Sequence, residues 1–275
     1  MSLKLGFFLV TLLVGSYAVD DMSIFFDHTN TLSRIVGGEP AGLVPYVVAL
    51  VYGADVRNLI CGASLVTTRH VLTAAHCIEA VLFPDGSLIS TLRGYVGTNR
   101  YDSGGTPYNL TEGIIHPNYD DELLKSDIGF LVTSSDVELT DSVSLIALTF
   151  RFINAGVRTS VTGWGSTGTG LPLSKELLQL NAIVVDGNEC VTLVKERSSE
   201  LDIDYVPPVD PALEICTYTN DRAGTCNGDS GSALVDRSTG EQIGTVSWGI
   251  PCAQGAPDMF ARVSAFREWI EETIA

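Results

Sequence analysis

Along most of the chain, short apolar or alternating stretches recur with turn-forming residues between them. They fall at residues 46–52, 63–66, 128–132, 157–162, 178–185, 232–235 and 243–246. Runs of this length, bounded by turn residues, predict an all-β domain built as a barrel or a sandwich. Only the C-terminal segment has helical spacing. There Val263, Phe266, Trp269, Ile270 and Ile274 share one face of a helical repeat, which predicts a helix laid on the core. The segment 194–211, rich in charge and proline between Cys190 and Cys216, is expected to be an extended surface loop. No internal repeat, low-complexity tract or long flexible linker breaks the pattern.

The first residues follow a different rule. Lys4, an apolar run over 5–14 and small residues at Ser16 and Ala18 predict an export signal over 1–18, cut after Ala18. No later run is apolar for long enough to span a bilayer, so a soluble, secreted product with no membrane partner is expected. Residues 19–34 are polar, contain no cysteine and end in Arg34. The six cysteines form an even set, which in an oxidising compartment predicts disulfides without specifying their pairing. Zinc ligation is the rival use of cysteine, but no Cys-x-x-Cys pair or spaced His doublet is present. A net charge of −17 and a pI near 4.4 disfavour nucleic acid as a partner.

Two distant blocks carry candidate chemistry. Ser230, within Gly228-Asp229-Ser230-Gly231-Ser232, is a candidate nucleophile, and His76, within Ala74-Ala75-His76-Cys77, is a candidate base. A serine hydroxyl is a weak nucleophile, so it needs a base within hydrogen-bond reach and a third group to fix the tautomer of that base. Asp127, in Lys125-Ser126-Asp127-Ile128-Gly129, is the natural third member. A Gly-Asp-Ser-Gly run alone reads as an ordinary turn, and a lone His as packed or solvated. Their joint occurrence in the order His, Asp, Ser points instead to a serine protease.

These blocks, with Arg34-Ile35-Val36-Gly37-Gly38, Gly163-Trp164-Gly165, Ser247-Trp248-Gly249 and the closing Pro257-Asp258-Met259-Phe260, resemble the trypsin/chymotrypsin family over nearly all of residues 35–275. The details look closest to arthropod digestive chymotrypsins and collagenolytic serine proteases. The resemblance implies two packed six-stranded antiparallel barrels, over about 35–148 and 149–275, the second ending in the C-terminal helix. It implies disulfides Cys61–Cys77, Cys190–Cys216 and Cys226–Cys252. It assigns nucleophilic attack to Ser230, proton transfer to His76 and orientation of His76 to Asp127, with Ser247 hydrogen-bonded to Asp127. The backbone N–H groups of Gly228 and Ser230 would form the oxyanion hole. Residues 19–34 would be an activation peptide, released by a trypsin-like protease cutting after Arg34. The new α-amine of Ile35 would then pair with Asp229.

By the same resemblance, Gly224 is the floor of the specificity pocket, Trp248 and Gly249 form its wall and entrance, and Asp258 brings a carboxylate in from the side, with Thr225 as its hydrogen-bond partner. A glycine floor favours Phe, Tyr and Leu before the scissile bond, and an ionised Asp258 would add Lys and Arg. Ala63, Ser232 and Ala233 depart from common family residues without removing a catalytic group. The region 97–108 lacks the paired Glu ligands of trypsins, so no calcium, other metal or cofactor is expected. Asn109-Leu110-Thr111 is a glycosylation sequon. The expected partners are protein or peptide substrates, the activating protease and protein inhibitors, with the enzyme itself monomeric and its simplest role digestive. An inactive homologue acting as a binding protein and a purely structural secreted β-protein are the other classes. The first would ordinarily lack a triad residue, and the second leaves the triad and the Arg34-Ile35 junction unexplained.

Overall fold

The computed structural model of the protein describes residues 37–220, 222–250 and 252–275. The expected export signal and activation peptide, with the Arg34-Ile35 junction, lie outside these residues. A short strand β1 (Glu39–Pro40) precedes six strands that close into a barrel: β2 (Val47–Tyr52), β3 (Asn58–Leu65), β4 (His70–Thr73), β5 (Arg93–Val96), β6 (Thr106–Ile115) and β7 (Gly129–Thr133). Around the ring the order is β2-β3-β4-β7-β6-β5, all antiparallel. One helical turn, α1 (Ala75–Glu79), follows β4.

The second half repeats the plan with β8 (Arg158–Gly163), β9 (Leu178–Val184), helix α2 (Gly187–Glu200), β10 (Glu214–Tyr218), β11 (Ala233–Asp236), β12 (Gln242–Gly249) and β13 (Asp258–Arg262). Pairing of β8 with β9 closes the ring β9-β10-β13-β12-β11-β8, and β1 adds to the outer edge of β9. The fold is therefore two closed six-stranded barrels of the chymotrypsin type. A 3-10 turn over Val263–Phe266 and helix α3 (Arg267–Thr273) end the chain.

The alternation that predicted strands also fixes how they pack. In β2, Val48 and Leu50 point into the first barrel with Leu65, Val71 and Leu131. Val47 and Ala49, on the opposite face, pack on Trp164 and Leu177 from the second half. Both faces are buried, so this strand reads as a continuous apolar run. Between the barrels, Leu72, Ile128 and Phe130 meet Val235, Ala261 and Phe266. Polar links join the halves as well: Ser64 Oγ donates to Gln242 Oε1 at 2.7 Å, both side chains being fully buried.

Two expectations need correction. The segment 194–211 is not one extended loop, because α2 runs through Glu200. Nor is the C-terminus the only helix. The Asp186 carboxylate caps α2 by accepting from Asn188 N and Glu189 N, satisfying donors that the first turn leaves open. Only Cys190 and Val194 of α2, four positions apart, are buried, and one such pair is too short to make an apolar stripe. The expected C-terminal stripe is present, but its first turn is 3-10: Val263, Phe266 and Ile270 are buried.

Candidate functional site

His76 sits in the single turn of α1, directly after β4 ends beneath fully buried Ala74 and Ala75. The Cys61–Cys77 disulfide pins that turn to β3. Opposite it, Asp127 leads into β7. The His76 backbone N donates to Asp127 Oδ1 at 3.0 Å, and His76 Nδ1 lies 2.8 Å from Oδ2. Ser247 Oγ, from β12 in the second barrel, donates to the same Oδ2 at 2.5 Å. Asp127 is 1% exposed. Burial pushes its carboxyl up, but the facing imidazole and the donors from His76 and Ser247 outweigh that and hold it below the usual carboxylate range. An ionised Asp127 requires a proton on His76 Nδ1, which leaves Nε2 as the basic nitrogen.

Ser230 lies on the wall of an open cleft of about 340 Å³, shared with Thr225, Ser247, Trp248 and Gly249. Its carbonyl accepts from Gly62 N at 2.9 Å. The next residue, Gly231, has φ +78°, and a Cβ there would come 2.1 Å from Thr73 Oγ1 and 3.2 Å from Ala74 N. That close approach brings the Ser230 turn against the end of β4, the strand that leads to His76. Gly228 has φ +95°, a backbone state open to glycine, and packs against Gly165 and Leu173.

Asp229 points away from the cleft into the second half, where it is completely buried. Its carboxylate accepts from Gly165 N at 2.8 Å and Cys226 N at 3.0 Å. A Cβ on Gly163 or Gly165 would come within 2.1 or 2.2 Å of its oxygens, so the Gly163-Trp164-Gly165 motif makes room for this acid. Burial pushes Asp229 up to about 7, only partly offset by the two backbone donors.

A second buried acid, Asp258, lies against the residues expected to form the specificity pocket. The Asp258 carboxylate lies between Gly224 and Gly249: a Cβ on either glycine would come 3.1 Å or 3.3 Å from its oxygens. Thr225 N donates to Asp258 Oδ2 at 2.8 Å, and the Thr225 side chain adds a bond. Burial and, more weakly, the charge of Asp229 push Asp258 up to about 7. The Cys226–Cys252 disulfide spans the rim, and Cys190–Cys216 ties α2 to β10.

Asn109 is exposed on β6, with Thr111 exposed beside it. Among the described residues, the one grouping with metal-ligand proximity is Cys61, His76 and Cys77, whose two sulfurs form a disulfide. None of the described helices is long and apolar enough to cross a membrane.

Three side chains near the site were not singled out from sequence. Arg197 of α2 reaches the pocket loop, donating through Nε to Gln254 O, and Gly255 packs against its guanidinium. Lys125, partly buried, and Glu214, buried, form an ion pair at 2.9 Å, 89 residues apart. A polar capping residue with an acid three positions on, Asp186 and Glu189, could have located α2, but nothing local marks a pairing at long range.

The trypsin family model matches residues 35–270. Chymotrypsin-2 of Vespa crabro is 34% identical over 241 residues, covering 86% of this chain and 99% of its own length. Trypsin alpha-4 of Lucilia cuprina is 30% identical, with 86% of each chain covered. Protein masquerade of Drosophila melanogaster is 31% identical over 251 residues, where this chain spans 23% of that longer protein. With the two-barrel scaffold, these matches establish that the chain belongs to the trypsin family of serine proteases.

Proposed function

We propose that this chain is a secreted serine endopeptidase, made as an inactive precursor, that cleaves after Phe, Tyr and Leu. The observation that carries the reading is the His76–Asp127 pair, bonded to Ser247, which lines the same cleft as Ser230. Ser230 Oγ attacks the scissile carbonyl while His76 Nε2 takes its proton. The imidazolium, stabilised by ionised Asp127, then protonates the leaving amine, and water repeats the sequence on the acyl-enzyme. The Gly228 and Ser230 N–H groups receive the charge that develops on the carbonyl oxygen, a contribution of about 3 kcal/mol per donor. In the precursor Asp229 is an uncompensated buried acid. Cutting after Arg34 supplies the Ile35 amine as its cation and fixes the turn holding both oxyanion donors.

The glycine at position 224 leaves depth for a large apolar side chain, which gains about 25 cal/mol per Å² of apolar surface removed from water. Asp258 supports a second, lesser specificity for Lys and Arg when its carboxyl is ionised. A digestive role is the simplest setting, in keeping with relatives named chymotrypsin and trypsin. Labelling with a serine-directed phosphonate after limited tryptic cleavage tests the reading. Modification at Ser230 with loss of peptidase activity is expected, and an unlabelled protein with an intact fold would identify an inactive homologue instead.

A further inference from the structure

Behind the cleft, Glu214 is 3% exposed and all its carboxylate contacts are specific. Oε1 accepts from Lys125 Nζ at 2.9 Å and from the Trp248 indole Nε1 at 2.6 Å, while Oε2 accepts from Asp210 N at 2.6 Å. The Lys125 ammonium also lies 5.2 Å from the centroid of the Trp248 ring. Burial pushes the Glu214 carboxyl up, opposed by Lys125 and by the donors from Asp210 and Trp248.

The positions of these partners along the chain matter more than the pair itself. Lys125 is two residues before Asp127, and Trp248 is one residue after Ser247, the donor to Asp127. The contacts close a ring: Asp127, back through Ser126 to Lys125, across to Glu214, on to Trp248, and through Ser247 to Asp127 again. The chain on the Lys125 side is strained, since Leu124 and Ser126 both take positive φ, 50° and 52°. Such a conformation persists only where its surroundings hold it. Leu124 is held by burial and Lys125 by Glu214.

Resting on the protease reading above, we propose that Lys125 and Glu214 are positioning residues, which bind the Asp127 loop and the Trp248 wall of the substrate cleft into one rigid unit. A largely buried ion pair contributes little net stability compared with apolar residues of the same size, so positioning is the role this geometry serves. Neither residue touches substrate. Both act through Asp127, which orients His76, and through Trp248, which lines the cleft.

The test compares the activated wild-type enzyme with Lys125→Met, Lys125→Arg and the double variant Lys125→Met/Glu214→Gln, on one Phe peptide substrate. The kcat is expressed per phosphonate-labelled site, and thermal melts are run alongside. Lys125→Met should lose about tenfold or more in kcat, the scale on which small misplacements of reacting groups are felt. Lys125→Arg, which restores the cation, should stay within about threefold of wild type. The double variant leaves no charge unpaired, so its melting temperature should return close to wild type while its kcat stays low. A double variant that melts like wild type and turns over within about twofold of it would overturn the proposal. A wild-type protein that neither labels nor turns over would refute the underlying protease reading instead.

Discussion

Asp127 and Asp258 are almost equally buried, at 1% and 6% exposure, and each accepts from a residue lining the same cleft, yet their carboxyls move in opposite directions. Both carry the same desolvation penalty in kind. Asp127 faces an imidazole and collects the His76 backbone N–H, the His76 ring and the Ser247 hydroxyl. Among the described residues, Asp258 has donors from Thr225, and the charge acting on it is that of Asp229, of the same sign. Burial alone therefore does not set ionisation here; what faces the carboxylate does. Asp127 is committed to its charge, whereas Asp258 and Asp229 are each pushed up to about 7 and can be switched.

Removing the committed charge should do the most damage. Asp127→Asn keeps the shape but reverses the hydrogen bond that fixes the His76 tautomer, so kcat should fall by about four orders of magnitude with little change in KM. Kinetics on the purified variant check this, and a loss below about a hundredfold would show that Asp127 does not orient the base. The wild-type protein offers the matching pH test. A lowered Asp127 pKa means that the interaction is fully present above the carboxyl's unfolded value and fades as pH falls through its folded value. Acid loss of activity above that range therefore belongs to other groups.

The next largest effect concerns Asp229, for which the proposed cation must be made by cleavage. The Arg34→Gln precursor should remain inert after trypsin treatment, while the wild-type precursor gains activity together with a new Ile35 terminus. Activation of Arg34→Gln without that terminus, followed by N-terminal sequencing, would sink the mechanism.

Much of this was legible in the sequence, for reasons tied to particular residues. His76, Asp127 and Ser247 stand in short motifs whose spacing survives any change elsewhere, and the structure joins the three through hydrogen bonds. The strands whose pattern was clear, such as β2, a continuous apolar run, and β8, fall within a residue of their expected bounds. Helix α2 was missed because it turns almost every side chain to water and has no stripe to read. Strand β10 was missed because Glu214 and Thr217 are polar yet buried, and the partners of Glu214 are ones that no local pattern announces. Nothing in the sequence set Lys125 apart, because its partner Glu214 comes from the second barrel.

A smaller effect follows from the raised acids of the precursor. An Asp whose folded pKa is about 7 keeps its proton while the unfolded chain, near the ordinary value of 3.8, has lost it. Stability should therefore decline as pH climbs from about 4 to about 7. The contribution is on the order of 1 kcal/mol or more, since each tenfold difference in proton affinity between the folded and unfolded chain is worth about 1.4 kcal/mol. Denaturant unfolding of the precursor at several pH values measures the slope. Asp229→Asn should flatten it, and cleavage after Arg34 should do the same by giving the carboxylate its cation. An unchanged slope in Asp229→Asn would mean that other groups carry the dependence.

The smallest expected effect lies in the pocket, where the switchable acid meets substrate. With a folded pKa of about 7, Asp258 in the free enzyme is mostly neutral at pH 6 and mostly ionised at pH 8. An apolar side chain gains from burial in either state, whereas Lys or Arg gains only from the ionised form. His76 and Ser230 serve every substrate alike, so their titration cancels in a ratio. The ratio of kcat/KM for a Lys peptide to that for its matched Phe peptide should thus rise about tenfold from pH 6 to pH 8, while Phe stays the better substrate. Asp258→Asn preserves the size of the side chain but cannot ionise, so the ratio should become flat and Phe cleavage should stay within about threefold of wild type. A ratio that climbs equally in the variant would place the switch on another group. A wild-type preference for Arg over Phe across this range would show that Asp258 is ionised throughout, and that the Thr225 donors outweigh its burial.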